Sequence, residues 1–143
     1  MKGSLTIVGL GPGAPELITP AVTDALKDST DIVGYSKYIE RVKDASGKSF
    51  HPSDNREEID RAELSINLAL QGKKVVVVSS GDPGVFAMAS AIFEVVDKKN
   101  ISIDESSIVV LPGITALLAA SARLGAPIAV SYTHLTLPTT GSV

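Results

Sequence analysis

A Gly-Asp-Pro-Gly turn after a run of valines is the feature of this sequence best suited to binding chemistry. The valines, residues 75–78, are apolar and β-branched, which is typical of a central parallel strand covered by helices on both faces. The turn over residues 81–84 contains two glycines, which tolerate positive φ, and a proline, which ends strand pairing. Because ligands of open α/β sheets bind beyond the carboxyl ends of such strands, the turn is a candidate site. An ordinary strand-to-helix turn is the alternative.

Two more loops of small residues follow apolar segments. Gly9-Leu-Gly-Pro-Gly13 overlaps the end of a strand predicted over residues 4–10, and Pro112-Gly-Ile-Thr-Ala116 follows a strand predicted over residues 107–111. Three glycines in five residues let the backbone approach a ligand closely, as in loops that bind nucleotides or adenosyl cofactors. Since all three loops follow strands, we expect them to meet at one edge of a parallel sheet.

A dinucleotide-binding fingerprint is the main alternative for the first loop, and three residues argue against it. Ala14 takes the place of the third glycine, and Pro12 lies inside the loop. The acidic residue that should end the second strand is missing there, because Asp31 stands at its start. The sequence therefore disfavours NAD as the ligand.

The rest of the chain alternates between predicted strands and helices. Strands are predicted over residues 4–10, 31–35, 75–78 and 107–111, with a short extra strand over 49–51. Helices are predicted over 20–26, 85–96 and 116–124, and the longest helix is predicted to start within residues 53–58 and to run down to Gly72. Thr19 is expected to cap the first helix, and Gly72 and Gly125 are expected to end two others. This alternation predicts an α/β fold with a mostly parallel sheet flanked by helices.

Composition excludes several classes of protein. The 143 residues suffice for one domain, and the formal net charge of −3 disfavours nucleic-acid binding, which requires surplus Lys and Arg. The absence of cysteine excludes disulfides, thiolate catalysis and zinc–thiolate sites, and no metal site is predicted. No apolar run approaches the roughly 20 residues of a membrane span. We therefore expect a soluble cytoplasmic protein with no membrane or nucleic-acid partner.

Three polar residues are candidates for contact with a ligand. Tyr35 and Lys37 lie just after the second strand, and Arg56 lies in the first turn of the longest predicted helix, which Asp54 or Asn55 is expected to cap. A cation at a helix start opposes the helix dipole, which indicates an anionic partner for Arg56. The alternative for Tyr35 and Lys37 is a plain amphipathic turn with Lys37 in solvent, and the alternative for Arg56 is a solvated surface side chain.

Taken together, the motifs resemble the tetrapyrrole methylase family, the S-adenosylmethionine-dependent enzymes of cobalamin and sirohaem synthesis. The family's marks are Gly9-Leu-Gly-Pro-Gly13, Gly81-Asp-Pro83 and Pro112-Gly-Ile-Thr-Ala116, and the similarity runs from about residue 4 to residue 128. Four further segments, residues 34–38, 53–57, 79–89 and 122–127, are most similar to the branch of the family that methylates carbon 17 of a precorrin. The resemblance therefore implies C-methylation of a precorrin in cobalamin biosynthesis.

The resemblance also implies an architecture and a set of site residues. The full-length protein would be a two-domain homodimer that holds its cofactor and its tetrapyrrole substrate in a trough between the domains. Matched position by position, the residues that would contact S-adenosylmethionine are Pro12, Ser80, Gly81, Asp82, Val85, Thr115 and Ala116. Tyr35, Lys37 and Arg56 are the candidates for binding the carboxylate-rich substrate. Ser36 stands where sirohaem-forming relatives carry an acid, so no catalytic base is assigned.

The end of the chain departs from the family pattern. Residues 130–135, Val-Ser-Tyr-Thr-His-Leu, are what the nucleotide string GTC TCT TAT ACA CAT CT(N) encodes, a string that resembles a transposon end used to prepare sequencing libraries. We therefore expect residues 1–129 to be the N-terminal domain, without its C-terminal partner domain, and residues 130–143 to be a foreign tail. Such a fragment is expected to be inactive alone. A divergent natural tail is the alternative.

Two other functions stay open at this point. Sister enzymes that methylate other carbons of precorrins or of uroporphyrinogen share all three cofactor loops. Without the family resemblance, the same loops would also fit a non-catalytic nucleotide-binding α/β domain.

Overall fold

Five parallel strands form the centre of the structure, a computed structural model that describes residues 3–43, 47–85 and 87–128. Their order across the sheet is β3-β2-β4-β1-β5, and every pair of neighbours is parallel. The strands are β1 (Ser4–Gly9), β2 (Asp31–Tyr35), β3 (Ser49–Ser53), β4 (Lys74–Ser79) and β5 (Ile108–Leu111). The predicted parallel α/β sheet is thus confirmed.

Helices cover both faces of this sheet because the chain crosses it in two directions. The helices are α1 (Pro20–Asp28), α2 (Ser36–Ile39), α3 (Glu58–Leu70), α4 (Met88–Lys98) and α5 (Ala116–Leu124), with short 3-10 turns at Pro15–Leu17 and Glu105–Ser107. Right-handed crossovers that run in opposite directions place their helices on opposite faces. Accordingly, α1 and α2 pack on one face, and α3 and α4 pack on the other.

The alternation of side chains along β4 divides the core into two layers. Val75 and Val77 pack with Ile66 of α3 and Ile92 of α4, whereas Val76 and Val78 belong to the layer under α1 and α2. All four of these valines are buried, as a central parallel strand requires. Within the described ranges, no helix combines the length and the apolar character that a bilayer crossing needs.

The β5 edge of the sheet is much less covered than the centre. Helix α5 buries none of its residues, and Leu117 and Leu124 are 67% and 77% exposed. Val109 and Val110 on β5 are also exposed. This side of the structure therefore carries an apolar surface.

Several element boundaries differ from the sequence prediction. Strand β3 extends to Ser53, because an edge strand tolerates Pro52, which has no N–H to donate. Helix α4 begins at Met88 and not near residue 85, because the N–H of Val85 donates to the carbonyl of Asp82 and extends the turn.

The start of α3 was also predicted wrongly. This helix begins at Glu58, so Arg56 precedes it and is not in its first turn. Asp54 does not cap the helix, because its carboxylate accepts the N–H of Arg56 while its own N–H donates to the carboxylate of Glu57. The caps predicted for α1 and α5, at Thr19 and Gly125, are confirmed.

Candidate functional site

The three small-residue loops meet at the carboxyl edge of the sheet. Strands β4, β1 and β5 are neighbours, so the loops that follow them lie side by side. The chain leaves β1 toward α1 on one face and leaves β4 toward α4 on the other face. Such a divergence between adjacent strands opens the crevice in which α/β proteins bind their ligands.

Backbone hydrogen bonds join the first loop to the second. The N–H of Gly11 donates to the carbonyl of Gly81 at 3.1 Å, and the N–H of Gly81 donates back to the carbonyl of Gly11 at 2.9 Å. Gly11 and Gly81 have φ values of 75° and 61°, a region that favours glycine. The N–H of Leu10 also donates to the carbonyl of Ser79 at 2.8 Å.

The third loop packs against the other two with no room for side chains. A Cβ atom built on Gly113 would lie 2.1 Å from the carbonyl oxygen of Gly81, and one built on Gly9 would lie 2.2 Å from the same oxygen. Since the obstacle in both cases is backbone, no side-chain rearrangement could relieve it. These glycines are therefore required by the close approach of the three loops.

Asp82 fixes the second loop to the third. Its Oδ1 accepts the N–H of Gly113 at 2.9 Å, and its Oδ2 accepts the N–H of Gly84 at 2.8 Å. Hydrogen bonds from backbone N–H groups to an ionised carboxylate are among the stronger kinds. The side chain therefore acts as a bridge within the site.

Arg41 supports the first loop from the side of α2. Its Nη2 donates to the carbonyl of Leu10 at 2.7 Å, and its Nη1 donates to the carbonyl of Gly11 at 3.2 Å. Burial lowers the pKa of Arg41, and the nearby Tyr38 partly opposes this effect. An arginine nevertheless keeps its charge in a protein, so the loop carbonyls face a permanent cation.

A cavity of about 440 Å³ opens beside these loops. Its volume lies in the usual range for small-molecule sites. All seven residues that the family resemblance implied for cofactor contact line it, namely Pro12, Ser80, Gly81, Asp82, Val85, Thr115 and Ala116. The structure therefore brings these seven residues together around one space.

The three candidates for substrate contact do not line this cavity. Tyr35 packs edge-on against Tyr38, with ring centroids 5.1 Å apart, while Lys37 and Arg56 are exposed. The cavity instead exposes Tyr38, Glu58 and Arg61, which the sequence reasoning did not select.

Arg61 is the most unusual of the three residues that sequence reasoning missed. Only 4% of it is exposed, and it faces the cavity from the first turns of α3. Burial lowers its pKa, although Glu58, Glu57, Tyr38 and Asp54 pull in the opposite direction. The signal was present in the sequence, because Arg61 precedes the buried Ser65 and Ala69 by one and two helical turns.

The chain is similar to a known family of proteins. The profile of the tetrapyrrole (corrin/porphyrin) methylases matches residues 4–142. A precorrin-3B C(17)-methyltransferase from Sinorhizobium sp is 41% identical over 137 residues, which are 96% of this chain and 54% of that relative. A probable cobalt-factor III C(17)-methyltransferase from Salmonella typhimurium is 34% identical over 134 residues, which are 93% of this chain and 54% of the relative. The chain thus spans about half the length of these curated relatives.

Solved structures of methyltransferases also superpose on this chain. The methyltransferase CobJ superposes with a TM-score of 0.81 and 53% identity, covering 87% of this chain and 52% of CobJ. A uroporphyrin-III C-methyl transferase from Thermus thermophilus, complexed with S-adenyl homocysteine, superposes with a TM-score of 0.68 and 27% identity, covering 87% of this chain and 52% of that one.

Proposed function

Because the chain belongs to the tetrapyrrole (corrin/porphyrin) methylase family, we propose that it is the N-terminal part of an S-adenosylmethionine-dependent enzyme that methylates carbon 17 of precorrin-3B in cobalamin biosynthesis. The observation that carries the proposal is the single cavity lined by all seven residues matched to cofactor contact. The 41% identity to a precorrin-3B C(17)-methyltransferase supports the choice of reaction.

The residues of the cavity fit an adenosyl cofactor. Glycines that leave no space for a Cβ let the three loops pack closely, so that the loop backbone can come close to a ligand in the cavity. The small side chains of Ser80, Thr115 and Ala116, which line the same cavity, leave space for a ligand next to these loops. When bound, the cofactor supplies a methyl group on an already activated sulfonium.

This chain's own contribution to catalysis is then mainly alignment. Holding two reactants in a reactive geometry can account for several kcal/mol of a barrier. Asp82 is a carboxylate of the second loop, but both of its oxygens accept backbone N–H groups. We therefore assign it to positioning, and we assign no catalytic base among the described residues.

A second domain would complete the site, as the family resemblance implies. The exposed apolar surface of β5 and α5 supports this proposal, as does the relatives' roughly doubled length. We propose a homodimer in the cytoplasm for the full-length protein.

The proposed foreign tail, residues 130–143, lies outside the described residues, and the family match extends to residue 142, so the boundary at 129 depends on the encoded string alone. The genomic reading frame beyond residue 129 tests it.

A cobalt-bound substrate is the second candidate, which the similarity to a cobalt-factor III C(17)-methyltransferase favours. The full-length protein should be assayed with metal-free precorrin-3B and with cobalt-factor III in parallel, and transfer of the cofactor's methyl group should be followed by mass spectrometry. Turnover of precorrin-3B alone supports the main proposal, and turnover of cobalt-factor III alone replaces it.

Calorimetry with S-adenosylhomocysteine, NAD and ATP should accompany the assay. Binding of NAD without binding of S-adenosylhomocysteine would rule out both methyltransferase proposals.

A further inference from the structure

Arg61 is a buried cation whose contacts are all neutral groups. Its Nε donates to the hydroxyl of Ser53 at 2.8 Å, its Nη1 contacts the sulfur of Met88 at 3.4 Å, and its Nη2 donates to the carbonyl of Asp54. A thioether is a weak acceptor, and a guanidinium has five N–H bonds. Hydrogen-bonding capacity on Nη1 and Nη2 is therefore left over at the wall of the cavity.

No carboxylate within the described ranges forms an ion pair with this cation. The ion pairs found there join His51 to Asp31, Lys98 to Glu94 and Lys99 to Glu63, and none involves Arg61. Glu57, Glu58 and Asp54 act on it only from beyond 4 Å, and all three are exposed to solvent. Buried charges in proteins are usually paired, so this arrangement is costly unless a ligand completes it.

Ser79 adds an independent observation at the same cavity. It is only 2% exposed, and its Oγ has no hydrogen-bond partner among the described residues. Ser79 follows Val77 by two residues on β4, so its side chain points to the face of the sheet that α3 and α4 cover. A buried hydroxyl without a partner costs free energy, which a ligand's acceptor atom would recover.

From these two groups we propose that Arg61 and Ser79 form a subsite for a carboxylate of the bound ligand. A guanidinium fork and a hydroxyl offer the donors that a carboxylate accepts, and Met88 and Tyr38 supply apolar surroundings that strengthen the pairing. The inference rests on the proposed function, under which both ligands carry carboxylates: the methionyl end of the cofactor and the side chains of the tetrapyrrole.

Three probes distinguish the two sources of that carboxylate. S-adenosylhomocysteine carries the amino-acid carboxylate, whereas 5′-methylthioadenosine is a related thioether without it. Uroporphyrin III represents a carboxylate-rich tetrapyrrole. Each probe should be titrated by calorimetry into the full-length protein and into its Arg61→Met, Ser79→Ala and Lys27→Met variants. Lys27→Met is the control, because it removes one positive charge from an exposed position on α1.

We expect Arg61→Met to weaken binding of one carboxylate probe by roughly ten- to hundredfold, with less than about twofold change for 5′-methylthioadenosine. We expect Ser79→Ala to weaken the same probe by about two- to tenfold without lowering the Tm, since it removes an unpaired buried hydroxyl. Loss with S-adenosylhomocysteine assigns the subsite to the cofactor, and loss with uroporphyrin III assigns it to the tetrapyrrole.

Several outcomes would overturn the proposal. Unchanged affinity for both carboxylate probes in both variants removes the subsite while leaving the proposed function intact. Equal losses for all three probes, together with a lower Tm, would make Arg61 a structural residue. A wild-type protein that binds neither carboxylate probe would contradict the proposed function itself, and the subsite with it.

Discussion

The Oδ1 of Asp82 accepts the backbone N–H of Gly113 across a separation of 31 residues. This bond links the loop after β4 to the loop after β5. The loop after β1 is hydrogen-bonded through Gly11 to Gly81, the residue before Asp82. Three stretches of the sequence therefore depend on one another for their positions at the cavity.

Replacing Asp82 by alanine should loosen this arrangement without unfolding the protein. Two hydrogen bonds to a partly exposed carboxylate would be lost, so we expect the free energy of unfolding to fall by about 1–2 kcal/mol. The affinity for S-adenosylhomocysteine should fall by more than this destabilisation alone would cause, because the loops would no longer hold one geometry. Urea unfolding and calorimetry of the full-length variant measure the two effects. Asp24→Ala, on the exposed face of α1, is the control. An Asp82→Ala variant that binds S-adenosylhomocysteine with unchanged affinity would contradict the expectation.

A methyl group at Gly113 should be more damaging than the loss of the Asp82 carboxylate. The Cβ of Gly113→Ala would meet the carbonyl oxygens of Gly81 and Gly9 at 2.1 and 2.9 Å, so the three loops would have to separate. We expect destabilisation by about 2–3 kcal/mol, in the range for an overpacked site. Thermal unfolding compared with Gly84→Ala, whose Cβ would meet only a side-chain oxygen at 3.1 Å, tests this. Similar Tm values for the two variants would mean that the loops are more compliant than their contacts indicate.

The ion pair between Asp31 and His51 should make stability depend on acid pH. Burial raises the pKa of Asp31, but hydrogen bonds from His51 and Thr30 and the charges of His51 and Lys73 outweigh it, so the net shift is downward from 3.8. A carboxyl whose pKa is lowered by folding stabilises the protein above its ordinary pKa and loses that contribution as the pH falls through the lowered value. We therefore expect Asp31→Asn to cost about 1–2 kcal/mol at pH 6 and progressively less below pH 4.

Urea unfolding at pH 6 and pH 3 measures this difference. Asp24→Asn provides the matched control, because Asp24 is exposed on α1 and should show no such pH dependence. A penalty for Asp31→Asn that is the same at both pH values would contradict the role assigned to the ion pair.

The loops of the site were predictable because their chemistry is local. Glycines that take positive φ, such as Gly11 and Gly81, and a proline that ends a strand leave a visible pattern in the sequence. The seven residues matched to cofactor contact belong to these loops, and the structure places them around one cavity. Whether they bind the cofactor stays a prediction.

The helical period places Arg61 on the buried face of α3, but its contacts were not predictable from the sequence, because they come from distant parts of the chain. Ser53 comes from β3 and Met88 from α4, and only the folded sheet brings both to the guanidinium. Strand β3 was only partly predicted for a similar reason. Its Ser-Phe-His-Pro-Ser sequence has little strand character of its own, and pairing with β2 gives it its conformation.

Arg56 stays a candidate for substrate contact, now from an exposed position outside the cavity. An exposed cation that meets a carboxylate contributes at most about 1 kcal/mol. We therefore expect Arg56→Ala to raise the KM for the tetrapyrrole by up to about fivefold while leaving the KM for S-adenosylmethionine unchanged. Steady-state kinetics with each substrate varied, beside Lys27→Ala on α1, make the test. Equal effects on the two KM values, or none on either, would indicate that Arg56 is a solvated surface residue without a role in substrate binding.

The 143-residue chain on its own should bind S-adenosylhomocysteine weakly and self-associate. Under the proposal that a second domain completes the cavity, one wall of the cavity is open in this chain, so fewer contacts offset the entropy of binding. The exposed leucines of α5 form an apolar surface of the kind that associates when uncovered. We expect no methyl transfer, and we expect sedimentation to show oligomers that Leu118→Ser and Leu124→Ser reduce, whereas Leu70→Ser on α3 does not. A monomeric chain that binds S-adenosylhomocysteine tightly would contradict the proposal that half of the site lies in another domain.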